Sequence, residues 1–577
     1  MFKILKKLNK KELLLIFIAF LLILFQVFLD LKVPEIMAEI TALVRTEGTL
    51  INDILRLGFY MFICALGSLF SAIIVGYLSA YVSSSFSFRI REKLFNKVLS
   101  FSMEDIKMFL SSSLITRTTN DTTQIQVFIS TGMQMLIKSP ILAIWAILKI
   151  SNKSLQWTLI TAGATFIIVV YIIILITFVL PKFKKIQTEI DNLNRASRDN
   201  LTGIRVIRAF NAEEYQTKRF DEVNESLTKT QTFTQKMMSS LWPVMNFVMY
   251  TLTILIYLVG AYLIDGSDLK LELFSDMIVF STYAMMILMS FVTLAFIFVL
   301  YPRANVSAKR INEVLDEDLK ILSGSIIPSK IEKLEFKKVS FKYPDADDYL
   351  LKDISFVINK GETLGIIGST GSGKSTLINL LVRFYDVTSG EILIDDINIK
   401  EYKLDELYEK IGYVPQKAGM FSGSIKENLN YGRNKKVSKK ELDQATNIAQ
   451  ASQFINKLDD KYNYHVARSG TNISGGEKQR LSIARVILRK PEIYIFDDTF
   501  SALDYNTDYR LRKELNKYTK DKINIIVSQR IGSIMHSNKI MVLSDGKMIN
   551  FDNHENLLKK SKIYKEIAKS QLSEEDL

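Results

Sequence analysis

Three segments in the C-terminal half carry residues suited to binding a nucleotide. The first, LGIIGSTGSGKSTLINLL from Leu364, is typical of an apolar strand, a glycine-rich turn and an apolar helix. The glycines allow several backbone N–H groups to face one anion, while Lys374 can reach the β- and γ-phosphates and Ser375 can offer a hydroxyl to Mg²⁺. The sequence therefore predicts a site for ATP and Mg²⁺. Its loop comprises Gly368, Ser369, Thr370, Gly371, Ser372, Gly373, Lys374, Ser375 and Thr376.

A buried acidic strand and a second glycine-rich loop lie further along the chain. IYIFD, from Ile493, is typical of a strand that delivers the carboxylate of Asp497 to a metal-bound phosphate. Before it, ISGGEKQR leads into a basic helix and predicts another anion site. Because one fold does not need two such sites for one nucleotide, this loop is expected to serve the nucleotide of another copy of the domain. Its residues are Ser474, Gly475, Gly476 and Glu477.

The elements upstream of these motifs are long and apolar. Six stretches stand out, at 13–29, 55–82, 127–150, 155–180, 241–264 and 274–300. Each approaches the ~20 residues with which a helix crosses the hydrocarbon core. The first follows several lysines, as in a signal peptide, but no small-residue cleavage site comes after it, so we interpret it as a retained span. The charged segments 83–126 and 181–240 keep helical periodicity and are expected to extend the spans into the cytosol.

The net charge of +13 is distributed in a way that favours a membrane protein over a nucleic-acid binder. Lysines and arginines cluster before span one and after spans two and four, whereas the acidic DGSDLKLEL follows span five. The positive-inside rule then places both termini in the cytoplasm. The single cysteine, Cys64 in span two, excludes an intrachain disulfide and fits a reducing cytoplasmic face.

The predicted fold is a membrane α-helical bundle followed by an α/β P-loop (RecA-like) domain. The boundaries are expected at a six-helix transmembrane domain over 1–303, a linker over 304–324 and a nucleotide-binding domain over 325–577. Taken together, the motifs resemble an ABC exporter half-transporter over essentially the whole chain. The resemblance implies that Tyr343, in FKYP, stacks on adenine, and that Gln416, in GYVPQ, contacts Mg²⁺ and the transmembrane domain. It also implies that the loop from Ser501 to Asp504 links two ATP sites, and that Ser375, Gln416 and Asp497 hold Mg²⁺.

Two positions depart from this family at the same catalytic site. Asp498 occupies the place of the Glu that positions the attacking water, and its carboxylate is one methylene, about 1.5 Å, shorter. A displacement of ~1 Å can cost about 10²-fold in rate. Gln529 occupies the place of a His near the γ-phosphate, and an amide cannot relay a proton as imidazole can. We interpret both as catalytic positions altered toward holding ATP while hydrolysing it poorly.

Two milder departures concern neighbouring loops. Glu477 replaces the usual Gln of the signature loop and introduces a charge, but the serine and both glycines remain, so this loop is expected to work. Arg468, just upstream, replaces an acidic residue that the family often has, which leaves the detail of domain coupling open.

The pattern resembles the degenerate-site subunits of heterodimeric multidrug exporters. It implies a partner half-transporter with an intact Glu and His, a location in the bacterial inner membrane with the nucleotide-binding domain in the cytoplasm, and export of hydrophobic or amphipathic small molecules through the lipid bilayer. No nucleic-acid partner is expected. A homodimer, a lipid or lipid-linked substrate, and an ATP-gated channel or regulatory subunit are the alternatives.

Residues for coupling and substrate are less specific. The resemblance places coupling helices around 103–110 and 210–216. Met245, Phe247 and Met249 of span five suit a cavity that repacks around apolar molecules, but they equally suit lipid-facing or packing positions. Lys138 in span three could line a water-filled pathway or extend to the membrane surface, and Asp276 could line the same pathway or lie at the outer surface.

Overall fold

The chain divides into two compact units. The computed structural model describes residues 1–46, 48–151, 154–265, 270–432 and 437–572. The membrane unit comprises Met1–Leu99 and Leu110–Glu317, and the nucleotide unit comprises Ser100–Phe109 and Asp318–Leu577. Of the acidic segment expected after span five, residues 266–269 lie outside the described ranges, as do residues 573–577 of the expected nucleotide-binding domain.

The regular secondary structure in the described part of the membrane unit is helical, and six of its helices are long and apolar enough to cross a membrane. This agrees with the predicted bundle. The helices are α1 (Phe2–Leu5), α2 (Lys10–Arg45), α3 (Ile51–Leu99), α5 (Ser111–Thr116), a π-helical turn (Arg117–Asp121), α6 (Thr122–Ser151), α7 (Leu155–Thr202), α8 (Ile204–Ala209), α9 (Glu213–Ser239), α10 (Leu241–Asp265) and α11 (Lys270–Asp316); between α3 and α5, α4 (Met103–Phe109) belongs to the nucleotide unit.

The last long helix extends further than the sequence predicted. A linker was expected from residue 304, whereas α11 continues to Asp316. Ala304, Ala308, Ile311 and Val314 are all buried, and their three- and four-residue spacing places them on one helical face. Burial of this stripe explains why the helix persists after the apolar span ends.

A buried ion pair connects α2 to α3 at the start of the first span. Asn9 and Glu12 form a capping box that begins α2. The Glu12 carboxylate also accepts hydrogen bonds from Ser85 Oγ at 3.0 Å and from the Arg89 guanidinium. Only 4% of the Glu12 side chain is exposed, so its charge depends on these partners.

We expect Arg89→Met to lower the free energy of unfolding by about 3 kcal/mol, because it leaves the Glu12 carboxylate buried without its cation. Thermal unfolding in detergent measures the effect. The matched control is Lys229→Met, which removes an exposed pair with Glu225 and should cost less than about 1 kcal/mol. Equal shifts in the two variants would contradict this role of Arg89.

The nucleotide unit contains an antiparallel sheet and a mostly parallel sheet. The first has strand order β2-β1-β4-β5, the second β12-β11-β3-β10-β9-β6, and β7 pairs with β8. The strands are β1 (Lys333–Phe341), β2 (Leu351–Asn359), β3 (Thr363–Gly368), β4 (Ser389–Ile394), β5 (Ile397–Asn398), β6 (Ile411–Val414), β7 (Gly423–Ser424), β8 (His465–Val466), β9 (Ile493–Asp497), β10 (Ile523–Val527), β11 (Lys539–Ser544) and β12 (Lys547–Asp552).

Helices cover the larger sheet, whose central strands are almost fully buried. Apolar residues fill β3, β9 and β10 without polar alternation, as expected for parallel strands covered on both faces. The helices are α12 (Lys374–Leu381), α13 (Leu404–Lys410), α14 (Ile425–Leu429), α15 (Lys439–Ile448), α16 (Ser452–Ile455), α17 (Gly475–Arg489), α18 (Tyr505–Tyr518), α19 (Ile531–Ile534), α20 (His554–Lys560) and α21 (Lys562–Lys569), with 3-10 turns at Ile399–Glu401, Lys461–Asn463 and Arg468–Gly470.

The register of the parallel strands gathers the predicted site residues at one edge. Val527 of β10 is opposite both Asp497 of β9 and Ile366 of β3. Since the carboxyl ends of parallel strands meet there, the loops after β3, β9 and β10 are neighbours.

Candidate nucleotide-binding site

The glycine-rich loop joins β3 to α12 and has two glycines in a left-handed backbone conformation. Gly371 and Gly373 have φ values of +83° and +99°, in the left-handed region that favours glycine. Lys374 Nζ donates to the carbonyls of Gly368 and Ser369 at 2.8 and 2.7 Å, so the ammonium lies against the loop. Burial lowers the pKa of Lys374, and the charges of two nearby aspartates oppose this effect. The arrangement provides N–H groups and a cation for a phosphate chain.

Asp497 ends β9 beside the predicted Mg²⁺ ligand Ser375. Burial raises the pKa of the Asp497 carboxyl, and the neighbouring Asp498 charge acts in the same direction. Hydrogen bonds from Tyr413 and Ser375 and the charge of Lys374 act in the opposite direction. Tyr413 Oη lies 3.4 Å from Asp497 Oδ2. A buried carboxylate next to a hydroxyl provides oxygen ligands of the kind that Mg²⁺ takes together with substrate phosphates, so the residues fit the cation.

Asp498 is held in an unusual conformation by both its main chain and its side chain. Its φ of +46° is left-handed, which is uncommon for a residue other than glycine. Its N–H donates to the carbonyl of Val527 at 2.9 Å, and its Oδ2 accepts from Gln416 Nε2 at 3.1 Å. The sequence assigned Gln416 and Asp498 to different motifs, and the structure brings the two side chains into direct contact.

Gln529 follows β10 at the same edge, in a loop held by a residue that the sequence analysis missed. Gln571 Nε2 donates to the Gln529 carbonyl at 2.8 Å, and Gln571 Oε1 accepts from the N–H of Ile531 at the same distance. The Arg530 guanidinium donates to the carbonyl of Ser501 at 3.4 Å, which links this loop to the one that follows Asp498. No local motif marks Gln571, so its role depends on the tertiary fold.

Tyr343 lies beside α12, the helix that follows the phosphate loop. Its hydroxyl is 3.0 Å from Thr376 Oγ1, and its ring packs edge-on against Tyr385 with centroids 5.3 Å apart. Lys107, on α4, places its ammonium 4.7 Å from the Tyr343 ring centroid, and a hydrogen bond with Tyr385 raises the pKa of Lys107. A coupling helix was expected around 103–110, but this cation–π contact was not, because Lys107 carries no local signal for it.

The signature loop caps α17 and lies next to the loop that follows β9. Ser474 Oγ accepts from the N–H of Glu477, and Glu477 Oε2 accepts from the N–H of Ser474 at 2.8 Å. A Cβ on Gly476 would come within 3.2 Å of the Ala502 carbonyl, so the two loops are close together. In the second loop, the Asp504 side chain caps α18 and lies near the charge of Arg480. Ser–x–x–Glu is a capping box, which explains the glutamate that the sequence analysis treated only as an added charge.

We expect Glu477→Ala to lower the free energy of unfolding by about 1 kcal/mol, because it removes the reciprocal half of this capping box. The matched variant Glu477→Gln should retain most of the stability, since glutamine can accept the same hydrogen bond. Thermal unfolding of the full-length chain measures both. A larger loss with glutamine than with alanine would contradict the capping role.

The structure places the expected coupling and substrate residues in different environments. The first expected coupling segment is a short helix, α4, while 210–216 is a turn followed by the start of α9. Met245 is 3% exposed and packs in the core of the membrane unit, whereas Phe247 is 71% exposed. Met245 is therefore a packing residue. Lys138 forms an ion pair with Asp30 on α2.

Together, a membrane unit with six candidate spans and a P-loop unit with a second glycine-rich loop indicate a transporter that binds ATP. Models of two families match: the ABC transporter transmembrane region over residues 16–311 and the ABC transporter domain over 351–501. The chain belongs to the ABC transporter family, as an exporter half-transporter with a six-helix domain fused to one nucleotide-binding domain. That domain implies hydrolysis of ATP coupled to transport.

Known relatives cover nearly the whole chain. An uncharacterized ABC transporter ATP-binding protein of Mycobacterium tuberculosis is 33% identical over 94% of this chain and 93% of the relative. The Bacillus subtilis protein YfiB is 34% identical over 97% and 96%. A putative multidrug export ATP-binding/permease protein of Staphylococcus aureus is 32% identical over 85% of each. A bacterial Atm1-family ABC exporter with ATP bound shares the fold, with a TM-score of 0.83, 21% identity, and coverage of 98% and 100%.

Proposed function

We propose that this chain is the poorly hydrolysing half of a heterodimeric ATP-driven exporter. The observation that carries the proposal is the pair of substitutions at one strand edge, Asp498 and Gln529, beside a complete phosphate loop. Asp498 accepts a hydrogen bond from Gln416 and is shorter than glutamate, so it is poorly suited to activating water. Gln529 supplies no group that titrates near neutral pH.

Within this proposal, each part of the site has a defined role. The loop from Gly368 to Thr376 and Tyr343 hold ATP. Ser375, Gln416 and Asp497 hold Mg²⁺, which would neutralise phosphate charge when bound. The signature residues Ser474, Gly475 and Gly476 complete a second site on a partner chain that has the Glu and His, and the loop from Ser501 to Asp504 connects the two sites.

The proposed location is the inner membrane of a bacterium, with both termini and the nucleotide unit in the cytoplasm. Basic residues before α2 and after the second and fourth spans support this orientation. The proposed substrates are amphipathic small molecules, and the similarity to a putative multidrug export protein supports this class. Proteoliposome assays distinguish the two alternative functions. A lipid exporter would transport a lipid-linked substrate instead of the small molecules, and an ATP-gated channel would show passive ion flow.

The test of the heterodimer is co-purification and turnover. The chain should bind ATP but hydrolyse it slowly by itself, and a second half-transporter with the Glu and His should restore hydrolysis. Chemical cross-linking after co-expression should give a one-to-one pair. A homodimer that hydrolyses and transports at the rate of the mixed pair would contradict the proposal.

A further inference from the structure

The spans of the membrane unit contain five paired charges, here called the charged network. On α2, Asp30 and Glu35 supply carboxylates and Lys32 an ammonium, while α6 supplies Lys138 and Lys149. Lys138 Nζ lies 3.1 Å from Asp30 Oδ2. The nitrogens of Lys149 and Lys32 lie 2.6 and 2.7 Å from the two oxygens of Glu35.

Asp30 directly follows the apolar stretch 13–29 on α2, but its carboxylate contacts residues at the middle of two other stretches. Ser68 Oγ donates to Asp30 Oδ1, and Ser68 is at the centre of the apolar stretch 55–82. Lys138 is likewise at the centre of the stretch 127–150. At 1.5 Å per residue, both positions are about 15 Å or more from either end of their stretches, which is half the thickness of the hydrocarbon core.

The network is partly open. The exposed fractions of the side chains are 33% for Lys138, 22% for Asp30 and 39% for Lys149. A charge that faces hydrocarbon costs several kcal/mol, and charged residues in spans accordingly face the protein interior or a water-filled cavity. We therefore expect the exposed parts of these side chains to face an aqueous pathway of the transporter rather than lipid.

The network has more donors than its own carboxylates use. Glu35 accepts from Lys32, from Lys149 and, at 3.3 Å, from the Tyr283 hydroxyl, and Asp30 accepts from Ser68 and Lys138. Three ammonium groups thus share two carboxylates. Each ammonium carries three N–H donors, and within the described ranges each has one carboxylate partner. The spare N–H donors favour a ligand with an anionic group that only accepts hydrogen bonds.

We propose that the charged network binds the anionic group, carboxylate or phosphate, of an amphipathic substrate. The proposal rests on the function proposed above and narrows its substrate class. Lys138 determines this specificity, because it lies at mid-span and has Asp30 as its carboxylate partner. The apolar part of the molecule lies along the surrounding span residues. A cationic amphiphile offers no acceptor for these N–H donors and would bind less tightly.

The test measures binding of tail-matched amphiphiles to the full-length chain in nanodiscs, with empty nanodiscs as the blank. The probes are dodecyl phosphate, dodecanoate and dodecyltrimethylammonium, and the first two distinguish a phosphate from a carboxylate source. We expect at least one anionic probe to bind about tenfold more tightly than the cationic probe. Lys138→Met should weaken that binding about tenfold without weakening binding of the cationic probe, whereas Lys138→Arg should retain most of the affinity.

Two further variants separate recognition from folding. Asp30→Asn with Lys138→Met removes the pair without leaving an unpaired charge, and it should lose anion binding as the single variant does. Lys229→Met, on the cytoplasmic part of α9, should bind all probes normally. The proposal would be overturned if the cationic probe bound as tightly as the anionic probes. It would also be overturned if Lys138→Met and the double variant each weakened binding of all probes equally. This test measures binding and not ATP turnover. Its result can therefore be interpreted even if the heterodimer proposal fails.

Discussion

In the full-length chain purified by itself, Asp498→Glu combined with Gln529→His is expected to raise ATP turnover at least ~10²-fold. Glutamate adds about 1.5 Å of reach, and a displacement of ~1 Å can change a rate by about 10²-fold. Histidine adds a group that can titrate near neutral pH, which is worth 10²- to 10⁴-fold when it transfers a proton. Two copies of the chain can supply each other's signature loops in this assay. Steady-state phosphate release measures the effect.

Matched variants identify the origin of that gain. The single changes should each give less than the double change, because both groups act on one γ-phosphate. Adding Lys374→Ala to the double variant should return turnover to the background, since the loop then lacks the cation that lies against it and is expected to contact the phosphates of ATP. If the double variant binds ATP normally and is no faster than the unmodified chain, these two positions do not limit hydrolysis.

In the mixed pair with a partner that carries the Glu and His, Gly475→Asp in this chain is expected to reduce turnover at least ~10²-fold. The structure leaves open space around Gly475, so the aspartate fits without steric conflict. Its carboxylate would lie at the start of α17, where the N–H groups would face the partner's phosphate in the proposed pair. Loss of one such preorganised contact typically costs 10²- to 10³-fold.

The matched change in the same chain is Asp498→Asn, which alters this chain's own site. We expect it to change turnover of the mixed pair by less than about twofold, because the partner's Glu supports the faster site. Both variants should retain normal thermal stability and normal pairing. If Asp498→Asn abolishes turnover while Gly475→Asp has little effect, hydrolysis occurs at this chain's own site and the assignment of roles is reversed.

Motifs confined to one strand–loop–helix segment could be predicted from the sequence. The phosphate loop from Gly368, the acidic end of β9 and the signature loop each combine a residue pattern with a local conformation. The contact between Gln416 and Asp498 could not be predicted in this way, because it depends on the pairing of β6 with β9 and on the left-handed conformation of Asp498. The support that Gln571 gives to Gln529 joins segments 42 residues apart.

The membrane unit shows the same limit. Hydropathy predicted the six spans, because each span must be long and apolar. It left Lys138 between two interpretations, since the direction of a helical side chain is set by the rotation of the whole helix against its neighbours. In the structure the Lys138 ammonium forms an ion pair with Asp30 on α2. The continuation of α11 to Asp316 was not predicted, because the apolar span ends earlier. The residues that form its buried stripe nevertheless keep helical spacing in the sequence.

The most direct measurement mixes the purified full-length chain in nanodiscs with radiolabelled ATP and Mg²⁺ and follows both retained and released nucleotide. We predict that close to one nucleotide per chain is retained, and that it remains a triphosphate over minutes. Release of ADP at about one per second or faster, within the ordinary range of enzymes, would contradict the claim that this subunit holds ATP for a partner to use.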